Sequence, residues 1–123
     1  MKQLLLILFL SIGLFLNAQN KYQKDTLVKY TYEELSDKFY AAKPDSLKAV
    51  LYAKYYIKKA QNEKDTIETG SGYYRLSDIT KDSTYFVNYW NEIIKATKNT
   101  KNSLYPSYSY LKKGDFFFHK GDK

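Results

Sequence analysis

The stretch YEELSDKF at residues 32–39 decides how this chain reads. It places Tyr32, Leu35, Ser36 and Phe39 at i, i+3, i+4 and i+7, the spacing that lines one face of an α-helix. The small Ser36 in that line lets a neighbouring helix come close. The head of the stretch returns twice: YEELSD at 32–37 is followed by YYRLSD at 73–78 and YLKKGD at 110–115, at offsets of 41 and 37 residues. Tyr73, Leu76 and Ser77 repeat the pattern; Tyr110, Gly114 and Phe117 repeat it again, with Lys113 in place of the leucine. A second motif follows the first two copies. Ala53, Ile57 and Ala60, and then Tyr89, Ile93 and Ala96, are each spaced i, i+4, i+7, and the two sets lie 36 residues apart. A chain that alternates two helical signatures is built from helix pairs.

Local signals agree. Thr31 with Glu34, and Asp65 with Glu68, have the spacing of capping boxes, in which one side chain accepts an orphan backbone N–H and the other reaches back. Pro44-Asp45 breaks the first helix from the second, Asp82-Ser83 caps the fourth, and Pro106 sits early enough in the fifth that its missing N–H costs little. Together these predict helices over 32–42, 46–61, 66–80, 83–98 and 104–119. No stretch alternates over strand length, so the expected fold is all-α.

These residues carry a family resemblance. An aromatic-x-x-Leu-small-x-x-aromatic helix, followed by a helix with a small or aromatic residue, an apolar residue four on and Ala three further, resembles the tetratricopeptide repeat, a helix–turn–helix unit of about 34 residues. Gly121 falls where that family's inter-helix glycine is expected, while the second aromatic of the middle copy and the closing prolines are missing. The resemblance implies a solenoid of antiparallel helical hairpins over 31–123, about two and a half repeats ending inside the third. It also implies ligand binding along the concave surface lined by the first helix of each pair. Carried over motif by motif, it puts Asp37, Asp78 and Asp115 in a row along that groove, with Tyr30, Tyr40, Tyr74, Tyr108 and Phe118 around them. Such a surface suits a peptide with basic and apolar side chains. Recurrence for folding alone, with the tyrosines as interface packing, is the competing account. The lysine and asparagine set with which some relatives clamp a C-terminal carboxylate is not present.

The N-terminus reads as an address. Lys2 and the apolar run at 4–16, turning polar at Asn17-Ala18-Gln19, have the layout of a secretory signal peptide over 1–18, with cleavage after Ala18 and a linker over 19–30. Thirteen apolar residues fall short of the roughly 20 that span a bilayer as a helix, and an uncleaved anchor is the alternative. Export also changes how the net charge of +7 is read. The lysines are scattered rather than gathered in one stripe, and an exported chain does not meet the genome, so no nucleic acid is expected as a partner of this segment.

Chemistry has little support. With no cysteine and one histidine, His119, thiolate and multi-histidine metal sites are excluded, and neither a cofactor nor a metal is expected. Glu33 and Asp37 read as solvated surface, Gly70-Ser71-Gly72 as small residues for close helix approach rather than a phosphate loop, and His119 and the Lys95, Lys98, Lys101 series as helix-end residues. No acid, base and nucleophile can be assembled, so no catalytic residues are expected.

The arrangement is similar to a narrower group, envelope-located tetratricopeptide regulators in which the repeat array precedes a transmembrane helix and an AraC-type helix-turn-helix output domain. That similarity implies an exported sensory module on the periplasmic side of the envelope or secreted. It is expected to take a protein or peptide ligand and to be the N-terminal part of a membrane-bound transcription regulator. A freestanding periplasmic or secreted scaffold is the alternative. Membrane contact is expected only through a downstream segment or an uncleaved signal, and an exposed last helix leaves room for self-association.

Overall fold

A computed structural model describes residues 29–102 and 104–121 of the chain. The signal-peptide expectation for 1–18, and nearly all of the linker over 19–30, lie outside the described residues. The helical unit begins at Tyr32, and residues 29–31 belong to the unit before it in sequence. Five helices follow in order: α1 (Tyr32–Ala41), α2 (Ser46–Glu63), α3 (Thr66–Ile79), α4 (Ser83–Thr97) and α5 (Leu104–Gly121). Among the described residues the fold is all-helical.

Short polar side chains set the helix starts. Asp45 accepts from the backbone N–H of Lys48, Asp65 from Glu68, and Asp82 from both Thr84 and Tyr85. Asn102 does the same for Leu104 and Tyr105 at the head of α5. Each satisfies donors that a helix leaves orphaned, a contribution of about 1 kcal/mol. The α2 end is less usual. Lys64 adopts a left-handed conformation at φ 58°, and its N–H reaches the carbonyls of Ala60 and Gln61. Glycine is the common solution at such a position, so α2 runs two residues past the end that its sequence suggests.

Each helix folds back along its predecessor. Tyr32 at the head of α1 hydrogen-bonds Glu63 at the foot of α2, while Lys38 lies over the Tyr52 ring nearer the α2 start. The core cluster is Phe39 from α1, Ala49, Ala53 and Ile57 from α2, and Leu76 from α3. The alanine stripe of α2, with Ala49, Ala53 and Ala60 all at 0% exposure, lets two helices close on it. Helix α3 is the most tightly held. A Cβ on Gly72 would overlap Ile57 Cγ1 of α2 and come within 3.2 Å of its backbone nitrogen; one on Gly70 would lie 2.9 Å from Thr97 Cγ2 of α4. Gly70-Ser71-Gly72 is thus the close-approach segment that its small side chains suggest, placed inside a helix.

The three hexapeptides do not sit at one depth. Tyr32 opens α1, whereas Tyr73 is the eighth residue of α3 and Tyr110 the seventh of α5. The copies in α3 and α5 therefore superpose at the 37-residue offset, and the copy in α1 is displaced along its helix axis.

Candidate functional site

Three side-chain contacts link alternate helices, passing over the helix between. Arg75 Nη2 of α3 donates to Ser36 Oγ of α1 at 2.8 Å, and Ser71 Oγ of α3 shares a hydrogen bond of 2.8 Å with the Tyr105 hydroxyl of α5. Lys43, in the turn after α1, pairs with Asp78 at the end of α3 at 2.5 Å. The two hydrogen bonds join residues 39 and 34 apart in sequence, close to the length of one helix pair. They bring α1, α3 and α5 into one polar, tyrosine-rich surface.

Arg75 is the single arginine of the chain and the centre of that surface. Its guanidinium lies 4.1 Å from the Tyr56 ring centroid, and Nη1 donates to the Ser71 carbonyl at 2.9 Å. Its Nε is buried without a partner among the described residues. Stacking on an aromatic face, which a planar guanidinium does better than an ammonium, replaces the carboxylate that a half-buried cation would otherwise need. The Tyr56 hydroxyl donates to Glu68. Beside it Tyr32 donates to Glu63 Oε2 at 2.6 Å, and Lys59 donates to Glu63 Oε1 at the same distance. Burial first, and then the hydrogen bonds to Glu63 and Glu68, hold the Tyr32 and Tyr56 phenols well above the usual tyrosine range. The bonds from Lys59 and Tyr32 push the Glu63 carboxyl down.

The opening on this surface is a cleft of about 250 Å³ lined by Tyr74, Leu104, Tyr105 and Tyr108. Tyr74 stands edge-on to Trp90 at 5.9 Å, and Tyr108 meets the same indole edge-on at 5.8 Å, so both rings pack on Trp90. Burial raises the Tyr74 phenol, with the Asp78 charge adding to it. Lys112 lies 5.2 Å over the Tyr108 ring. The Lys43 ammonium is held charged to higher pH by its hydrogen bond to Asp78.

The residues expected to line a groove are placed unevenly. Tyr74 and Tyr108 meet in the cleft; Tyr40, 48% exposed, carries Lys43 5.1 Å over its ring beside Asp78. The aspartates have three settings. Asp78 is ion-paired with Lys43, Asp37 is exposed on α1, and Asp115 lines a separate cavity of about 700 Å³ with Phe86, Lys112 and His119. Phe118 is 69% exposed, near the far end of α5 from the cleft that Leu104 and Tyr108 line. Tyr30 lies outside the helical unit, ahead of α1.

Of the packing residues, Leu35, Phe39, Ala53, Ile57, Ala60, Leu76, Ser77 and Ile93 are buried. Tyr32, Ser36, Tyr73, Tyr89 and Ala96 are half-buried, with Tyr73 and Tyr89 in ring contact at 6.4 Å. Tyr110 and Phe117 are 61% and 54% exposed, and a Cβ on Gly114 would meet nothing within 4 Å. The third copy turns its signature outward.

Sequence reasoning passed over Lys43, Arg75, Tyr105 and Lys112. The lysines look like any of the solvated cations around them. Arg75 carried a usable signal, one arginine in a chain with 20 basic residues, because arginine is favoured where a cation must stack and fork.

The chain matches no known protein family, no curated protein and no solved structure. Among the described residues no three His, Asp or Glu side chains gather as a metal site requires, and no helix is long and apolar enough to cross a membrane. The α1, α3 and α5 surface presents aromatic rings, phenol hydroxyls and a few positioned charges.

Proposed function

We propose that the helical unit is a tetratricopeptide-type interaction module, exported to the cell envelope, which takes a protein or peptide ligand as the sensory N-terminal part of a membrane-bound transcription regulator. The observation that carries the recognition reading is the linkage of α1, α3 and α5 through Ser36, Arg75, Ser71 and Tyr105 into one surface with a tyrosine-lined cleft. Tyrosine supplies large contact area at low conformational cost, with a hydroxyl for the edge of the contact, which suits a surface that binds rather than reacts. The exported, regulator part of the reading rests on the residue pattern at 1–18 and on the family resemblance.

The mixed charge on this face refines the ligand. Asp78 is already neutralised by Lys43, so a basic ligand side chain finds its acidic partner at Asp37, which makes no ion pair among the described residues, while Asp115 lies in the separate cavity beside Phe86. Immobilised chain is expected to retain a protein from an envelope fraction, and replacement of Asp37, Asp78 and Asp115 together by Asn to release it with melting unchanged. Parallel loss of retention and of thermal stability would make the aspartates structural. An open reading frame continuing past Lys123 into about 20 apolar residues and a recognition helix is what the regulator requires. A stop codon there leaves a freestanding scaffold.

A further inference from the structure

Tyr40, Tyr74 and Tyr108 recur at an interval of 34 residues, one on each of α1, α3 and α5. The fold gathers them. Tyr74 and Tyr108 line the cleft of about 250 Å³ and pack on Trp90, and the Tyr74 phenol, raised first by burial, also feels Asp78, Tyr108 and Tyr40. One helical turn earlier stand Asp37, Ser71 and Tyr105 at the same interval, with Ser71 and Tyr105 hydrogen-bonded at 2.8 Å. Two matched rows thus cross the three helices, one of aromatic rings and one of polar groups.

The spacing of the rings selects a ligand conformation. Packed helices run roughly 8–10 Å apart, so the tyrosines form a ladder with rungs at about that interval. A polyproline II helix advances about 9 Å in each turn of three residues and presents one residue per turn to the same side. A β-strand repeats on one face at roughly 7 Å and falls out of step at the second rung. An α-helix, about 10–12 Å across, is too broad for a cleft of this size. The polyproline form also makes no internal hydrogen bonds, which leaves its carbonyls free for phenol hydroxyls, and proline rings lie on aromatic faces at little conformational cost. Lys43 and Lys112 stand over the two outer rings, 5.1 Å from Tyr40 and 5.2 Å from Tyr108. At solvated positions such contacts are weak, so a ligand ring can displace either ammonium and keep it as a neighbour.

We infer that the tyrosine ladder takes a proline-rich segment of a partner protein in the polyproline II conformation, laid across α1, α3 and α5 with a basic residue at the Asp37 end and an acidic one at the Lys112 end. This rests on the reading of that face as a ligand surface and adds the chemistry of the ligand. The polarity follows from charge complementarity. Asp37, exposed one turn before Tyr40, makes no ion pair among the described residues; Asp78 between the ends is already paired with Lys43; and Lys112 stands beside Tyr108. A second copy does not supply the segment, because the two prolines of the chain, Pro44 and Pro106, stand singly.

The test uses the full chain and a labelled peptide of three Pro-Pro-Ser triplets flanked by Arg and Glu, followed by fluorescence anisotropy. Saturable binding is expected, at least tenfold tighter than for the same peptide with Ala at every Pro. Cutting the peptide to one triplet, too short to reach a second rung, is expected to weaken it at least tenfold. Tyr40→Ala, at an exposed position, is expected to keep the melting temperature and to weaken binding at least fivefold. Tyr74→Phe keeps the ring on Trp90 and is expected to cost about threefold through the lost hydroxyl. Replacing the peptide's Arg by Gln is expected to cost the native chain about threefold and the Asp37→Asn variant nothing. Equal binding of the alanine peptide, or binding indifferent to Tyr40→Ala, overturns the proposal. Retention of an envelope protein that Tyr40→Ala releases, with no binding of the proline peptide, overturns it too but leaves the ligand surface standing. Absence of both overturns the two readings together.

Discussion

Helices α3 and α5 carry the same hexapeptide at nearly the same depth, yet α3 is gripped from both sides and α5 from one. In α3 the signature is spent on packing: Leu76 and Ser77 are each 4% exposed and Tyr73 lies against Tyr89. In α5 the same spacing holds Tyr110, Gly114 and Phe117 in the open. A helix signature therefore records which face is apolar, and the neighbours decide whether that face is core or surface. Lys113 takes the leucine position on the side of α5 that faces α4. That side needs only an edge contact with Asn91, and the long aliphatic stem of lysine can lie along the helix while its ammonium reaches out.

The largest effect that can break this comparison is truncation of matched apolar residues. Leu76→Ala removes a buried side chain from the central cluster and is expected to cost about 3 kcal/mol, while Leu111→Ala should stay within about 0.5 kcal/mol, read as the difference in urea midpoints. Similar losses at the two positions would mean that α5 is covered in solution. The glycines sharpen the contrast because the signs oppose. Gly72→Ala drives a methyl into Ile57 and is expected to destabilise by about 2 kcal/mol. Gly114→Ala meets open space in a helix interior and should stabilise by about 0.5–1 kcal/mol in the same assay.

A smaller effect separates the two ends of the molecule by pH. Tyr32 and Tyr56, on the α1–α3 side, keep their protons in the folded state well above the ordinary value of 10.0. The unfolded chain gives those protons up first, so their contribution is complete below about pH 10 and declines as pH rises beyond it. Phenolate absorbance from Tyr32 and Tyr56 is expected to rise only above the ordinary tyrosine range and together with loss of helicity. One smooth step with helicity intact would place Tyr32 and Tyr56 in contact with solvent.

All five helix starts could be read from the chain because each is written locally, in Asp45, Asp65 and Asp82 and in the spacing of apolar residues behind them. Ends were harder. The α2 terminus depends on Lys64 adopting a left-handed conformation, and nothing in a lysine announces that. The site was legible in part. Tyr74 and Tyr108, which the family resemblance put on a groove, both line the cleft. The Lys43 pairing of Asp78 and the Arg75 stack on Tyr56 depend on how far one helix slides along another. The displaced hexapeptide of α1 shows that the repeat does not encode this slide. Alternation of two signatures specifies the order of helices and their faces, and the glycine contacts at positions 70 and 72 set the slide.

Trp90 has a consequence for how this molecule can be watched. The sole indole of the chain is 2% exposed and touches Tyr74 of α3, Phe86 of α4 and Tyr108 of α5 at ring separations of about 6 Å or less. The chain has fourteen tyrosines and a single indole to accept their excitation. The protein thus carries a built-in optical gauge at the junction of its last three helices: emission from that single fluorophore shifts when α5 lifts from α4, and stays still when only α1 frays.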